Sequence, residues 1–119
     1  MRFDHKSRIK QSRDFLKVRE TGRRIVHGCL IANWRELPGE GPARLGVVSS
    51  RKIGGAVVRN RARRLIREAF RLHRSGLAHS VDLVLVARPS IAGKSFASVE
   101  KDFLATLSKA GLLKQPPPA

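Results

Sequence analysis

The chemistry most densely written into this 119-residue chain is that of arginine at helical spacing. At about 100° per residue, Asn60, Arg63, Arg64, Arg67, Arg71 and Arg74 fall within an arc of roughly 100°. Ala62, Leu65, Ile66, Ala69, Phe70 and His73 define the opposite, buried face. A helix rises about 1.5 Å per residue, so the cationic stripe from Asn60 to Arg74 runs roughly 21 Å, enough to follow several phosphates of a nucleic-acid backbone. A guanidinium makes paired hydrogen bonds to phosphate and stacks on bases, so arginine at this density suits nucleic acid better than solubility alone. A merely solvated face would alternate its signs. Here the only acidic residue is Glu68, placed to hold both Arg64 and Arg71, at a few tenths of a kcal/mol per pair. In front of the stripe, Ser50-Arg51-Lys52-Ile53-Gly54-Gly55-Ala56 lets a backbone come close and offers the free amides of a helix start. It is not a nucleotide-hydrolase phosphate loop, because no Lys and Ser/Thr follow the second glycine.

Protein-borne hydrolytic chemistry has no comparable set. A nuclease needs carboxylates that hold metals or a histidine pair for acid and base work. The nine acidic residues are dispersed, and Glu100 and Asp102 point to different sides of a helix. His5, His27, His73 and His79 lack ligand spacing, His73 reads as a satisfied core histidine, and Asp4-His5 as a local pair. Cys29 is the only cysteine, which excludes an intrachain disulfide and a thiolate zinc cluster and leaves it as core filler in a strand.

Composition agrees with a polyanion partner. Twenty-five Lys and Arg against nine Asp and Glu give a formal charge of +16, and seventeen of the 25 are Arg. Residues 1–24 carry +6 and residues 51–74 carry +8, while 25–50 is neutral, so two blocks hold nearly all of it. Such unneutralised charge repels itself unless a polyanion meets it. At 41% hydrophobic residues the chain can build a core, which argues against general disorder. No apolar run approaches the roughly 18 residues of a membrane span and the N-terminus is unlike a signal peptide, so the expected compartment is the cytoplasm.

The elements that must position these residues follow from periodicity. Ser12 is read as the cap of a short helix to Thr21, stopped at Gly22, with Phe15, Leu16 and Val18 apolar. Ile25 to Trp34 reads as one bent strand or two short ones kinked at His27-Gly28, and Leu37 to Pro42 as a turn. Arg44 to Ser49 is a strand with Leu45 and Val47 on one face and Gly46 and Val48 on the other. The arginine helix spans Arg59 to His73, and Val81 to Ala87 is an inner strand covered on both faces. Ser95 caps a last helix that buries Phe96, Val99, Phe103, Leu107 and Ala110 and ends at Gly111. The expectation is a single α+β domain over residues 1–113, a two-layer α/β sandwich of order α-β-β-β-α-β-α, followed by a disordered Pro-rich tail at 114–119.

The segment Arg51-Lys52-Ile53-Gly54-Gly55-Ala56-Val57-Val58-Arg59-Asn60-Arg61-Ala62-Arg63-Arg64-Leu65-Ile66-Arg67-Glu68-Ala69-Phe70-Arg71 closely resembles the signature of the bacterial ribonuclease P protein family. Its centre is the triplet Arg59-Asn60-Arg61. The similarity extends to Asp14-Phe15, to Leu45-Gly46-Val47, and to Asp82 through Ala87-Arg88.

That resemblance implies a central sheet with a left-handed β-α-β crossover, similar to the second domain of small-subunit ribosomal protein S5; general rules give the opposite hand. It implies a non-catalytic subunit whose partner RNA removes the 5′ leader of precursor tRNA, with magnesium held mainly by RNA phosphates. Under it, Arg51, Lys52, Arg59, Asn60, Arg61, Arg63, Arg64, Arg67 and Arg71 face the catalytic RNA. Phe15, with Lys17 and Arg19, meets the leader in a cleft between the first helix and the sheet, Phe15 stacking on or packing beside a base; the residues alone leave a helix-to-sheet core contact for Phe15 equally open. The family often has a second aromatic where this chain has Arg19, whose guanidinium can stack instead. Trp34 is the other aromatic in range, and reads as core. The partners implied are the catalytic RNA and the leader, with no membrane and no protein partner required. The alternative is a structural ribosomal RNA-binding protein; a helix-based DNA regulator fits less well, since the arginine helix lacks a partner helix and tight turn before it.

Overall fold

Four strands and three helices form in the order read from the sequence, in a computed structural model that describes residues 8–9, 12–39, 41–78 and 80–114. The expectations for Asp4, His5, His79 and the tail at 115–119 lie outside these residues. Helix α1 spans Ser12–Thr21 and begins at Ser12 itself. The stretch read as one or two strands is a hairpin of β1 (Arg23–His27) and β2 (Leu30–Glu36), and β3 covers Arg44–Val48. Helix α2 covers Ala56–His73, beginning one turn earlier than periodicity indicated, because Gly55 serves as N-cap without a side-chain bond. Strand β4 is Val81–Ala87 and α3 is Phe96–Ala110. Ser95 Oγ accepts from the Ser98 amide, and Gly111 closes the helix in the left-handed region, as read.

The sheet order is β1-β2-β4-β3, antiparallel except for the parallel β3–β4 pair that α2 connects. One face carries Leu30, Ala32, Trp34, Leu45, Leu83 and Leu85, packed with Ile66, Phe70, Val99, Phe103 and Leu107 of α2 and α3. Each of these large side chains contributes about 1.5–3 kcal/mol by leaving water. Trp34 is buried here, as expected of a core residue. Among the described residues no helix is long and apolar enough to cross a membrane.

Two polar contacts lock the second layer. Asp102 Oδ2 accepts the Cys29 amide at 3.0 Å, which pins the β1–β2 turn to α3. Cys29 therefore sits in that turn rather than within a strand; it is fully buried, and burial first, then Asp102, pushes its thiol up to about 12. Burial opposes ionisation of Asp102, but the Cys29 amide and thiol with Lys94 and His27 hold its carboxyl below the usual aspartate value. His73 Nε2 lies 2.8 Å from Glu100 and its ring stands 6.2 Å from Phe103, so this half-buried histidine is satisfied between α2 and α3.

Candidate nucleic-acid interface

On the other face, the strand registers lay side chains out in three cross-strand rows. The first is Arg35, Asp82 and Arg44; the second is Arg24, Asn33, Val84 and Gly46; the third is Val26, Ile31, Val86 and Val48. Helix α1 crosses above the second row. Its Val18 is buried against Val84 and Ile9, and Phe15 packs beside them on Gly46.

The first row is fixed by charge. Asp82 is fully buried and accepts from Arg44 Nε and Nη2, both at 2.7 Å, and from Arg35 Nη2 at 3.2 Å. Arg44 also lies 3.8 Å from Asp14 in the first turn of α1. The hydrogen bonding of Arg44 to Asp82 outweighs burial and raises the Arg44 pKa, so this guanidinium stays charged.

The third row is the uncovered one. Val26 is 43% exposed, and Ile31, Val48 and Val86 are half-buried. Val86 is thus the exception in a strand read as covered on both faces. Since Asp14 turns toward the first row, the flank of α1 that borders the third row carries Leu16 and Arg19, with Phe15 at the boundary. Phe15 and Arg19 are therefore brought together along a shallow apolar channel; Lys17 lies on the Asp14 flank, away from it. The aliphatic floor was missed in the sequence, where no local signal separates Val86 from its covered neighbours.

The arginine stripe belongs to the opposite side of the sheet, where α2 packs against β3 and α3. Its members are unequal. Arg71 is bound by Glu68 at 3.0 Å, whereas Arg64 makes no bond to Glu68, so the expected double pairing reduces to one. Glu68 is lowered by that hydrogen bond and Arg71 raised by it. Arg63 donates to Asn60 Oδ1. Arg61, though exposed, donates to the Lys94 carbonyl at 2.8 Å, tying the start of α2 to the loop before α3. Arg67 is lowered by burial and then by the neighbouring Arg8 and Arg63, so cations crowd here. The side chains of Arg59 and Arg64 have no hydrogen-bonding or ion-pair partner among the described residues. Arg51 and Lys52 form a single 3-10 turn between β3 and α2, at the end of the strands where the third row opens. The channel and the stripe thus lie on two faces, joined around the β3 edge where Arg8 and Ile9 run alongside Leu45.

Among the described residues, no group of three or more His, Cys, Asp or Glu could hold a metal ion. A hollow of about 560 Å³ lined by Glu36, Gly41, Arg74 and Ser80 lies at the far end of the strands from the third row.

Comparison with known proteins gives one answer. The Ribonuclease P family profile matches residues 3–111. The chain is 40% identical over 110 residues to the ribonuclease P protein component of Gluconacetobacter diazotrophicus, covering 92% of this chain and 95% of that one. It is 39% identical to the same component of Syntrophomonas wolfei, covering 92% and 91%. Its fold is similar to that of the Staphylococcus aureus RNase P protein, with TM-score 0.83 at 26% identity over 91% and 98% of the two chains. The Thermotoga maritima RNase P protein gives 0.78 at 27% identity, over 86% and 96%. With family profile, fold and nearly the whole length in agreement, the chain belongs to the ribonuclease P protein family, the protein component of a ribonucleoprotein endoribonuclease of tRNA processing.

Proposed function

We propose that the chain binds two RNAs at once: the catalytic RNA of ribonuclease P through α2 and the turn before it, and the 5′ leader of precursor tRNA through the channel beside α1. The observation that carries this reading is the placement of a bordered apolar channel and an arginine-rich stripe on opposite faces of one sheet. A single-stranded leader presents unstacked bases, for which Phe15 and the Arg19 guanidinium offer flat partners above an aliphatic floor. The stripe presents a row of positive charge along one helix, as backbone contact to a folded RNA needs. The polypeptide orients and neutralises, and hydrolysis belongs to the RNA, with magnesium held by RNA phosphates in the cytoplasm.

The test is reconstitution. Purified protein should leave precursor tRNA intact, and adding the catalytic RNA at low magnesium should yield cleavage at the mature 5′ end. Cleavage there by protein free of RNA would sink the reading.

Salt dependence separates the arginines. Removing one guanidinium that neutralises a phosphate should flatten the slope of log affinity against log salt by about one. Arg64→Ala and Arg67→Ala should show that change for the catalytic RNA, and Arg71→Ala less, since Glu68 already neutralises it. Equal slopes in all three, with circular dichroism unchanged, would make the stripe a solvated face.

A further inference from the structure

We propose that Gly46 is a positioning residue for leader binding: by lacking a side chain it seats the Phe15 ring on β3 and sets the opening above the third row. This deepens the leader-binding reading and rests on it. Glycine inside a strand weakens it, and Gly46 does not adopt a positive φ, so the backbone itself does not call for one. The demand comes from above. A Cβ at position 46 would stand 2.5 Å from Cζ and 2.6 Å from Cε1 of Phe15. The next position under α1 in the same row, Val84, carries a full side chain and packs with Val18 without such a conflict. Only where the helix sends an aromatic ring down to β3 is the strand bare.

The other end of α1 is fixed by main chain. A Cβ on Gly22 would meet the Trp34 carbonyl oxygen at 2.3 Å and that of Val18 at 2.4 Å, so the helix cannot rise or sink there. A methyl at position 46 therefore tilts the ring or the N-terminal half of α1 alone. Val48 follows Gly46 on the same face and belongs to the third row, so that tilt falls on the border of the channel. The atoms displaced are the far end of a side chain, which lets the fold accommodate the change while the ring does not keep its place.

The experiment uses holoenzyme reconstituted with the catalytic RNA, titrated against precursor tRNA with a long leader and against leaderless tRNA. Gly46→Ala should weaken long-leader binding about tenfold, within the range of one base–aromatic stack, and leave leaderless binding unchanged. In a Phe15→Ala background the same substitution should have no further effect, because the ring it meets is gone. That double variant keeps the test open should Gly46→Ala alone fail to fold. Wild-type long-leader affinity in Gly46→Ala beside a weakened Phe15→Ala would overturn the role of Gly46 and leave the leader reading standing. Equal losses on both tRNAs in Gly46→Ala, or an added loss of leader affinity in the double variant, would also overturn it. Equal losses on both tRNAs in Phe15→Ala would instead remove the leader reading itself.

Discussion

Asp82→Ala is expected to cost about 3–5 kcal/mol of folding stability, the range for breaking one side of a buried ion pair. The carboxylate is fully buried and receives three hydrogen bonds from two guanidinia. Removing it leaves Arg35 and Arg44 as neighbouring half-buried cations with their principal counter-charge gone. Arg35 Nε is already buried without a hydrogen-bond partner, so little slack exists in the cluster. The loss should reach α1, since Arg44 is also the partner of Asp14. A domain of this size has about 5–15 kcal/mol in total, so the variant should be largely unfolded at modest denaturant. Urea unfolding followed by circular dichroism measures the effect. Replacing Arg35, Asp82 and Arg44 together by apolar residues of similar volume should recover most of the loss, since the pair's attraction is offset by its desolvation. A cost under about 1 kcal/mol for Asp82→Ala would show a cluster screened as surface pairs are.

That cluster also shows where sequence reading ends. Val81 to Ala87 is legible as an inner strand because its apolar run is nearly continuous, and Asp82 within it looks like an interruption. Its partners lie 47 and 38 residues away, and only the β2–β4–β3 register places all three in one row. Local periodicity gave α2 and α3 with their buried faces, because those faces answer to a 3.6-residue repeat. It could not give the choices arginines make. Glu68 is in reach of Arg64 and Arg71 by spacing, and rotamers decide for Arg71. Arg61 looks like its neighbours in the triplet, yet it donates to the Lys94 carbonyl, a loop brought near by the fold. The open third row is the same kind of fact, since it depends on where α1 crosses the sheet, which no residue of β4 records.

Variants on the two faces should fail in different ways, and this is the second large effect expected. Phe15→Ala should weaken holoenzyme binding to long-leader precursor tRNA by about 1–3 kcal/mol, the contribution of one base–aromatic stack. Binding of leaderless tRNA and assembly with the catalytic RNA should be retained. The ring is half-buried, with its tip on Gly46, so truncation also removes packing against β3. That stability loss should stay below the about 3–5 kcal/mol of a fully buried phenylalanine. Arg59→Ala should act on assembly instead. The Arg59 side chain has no partner among the described residues and stands in the first turn of α2 on the side of the sheet away from the channel, so its loss should raise the protein concentration needed to form holoenzyme. Once holoenzyme is saturated, the dependence on leader length should match that of the wild type. Arg61→Ala should combine an assembly defect with a measurable drop in melting temperature, since it releases the loop before α3. The measurement is a set of binding titrations with leaders of increasing length, run for each variant at saturating protein. If Arg59→Ala changes the leader-length profile while Phe15→Ala does not, the two faces have been assigned to the wrong RNAs.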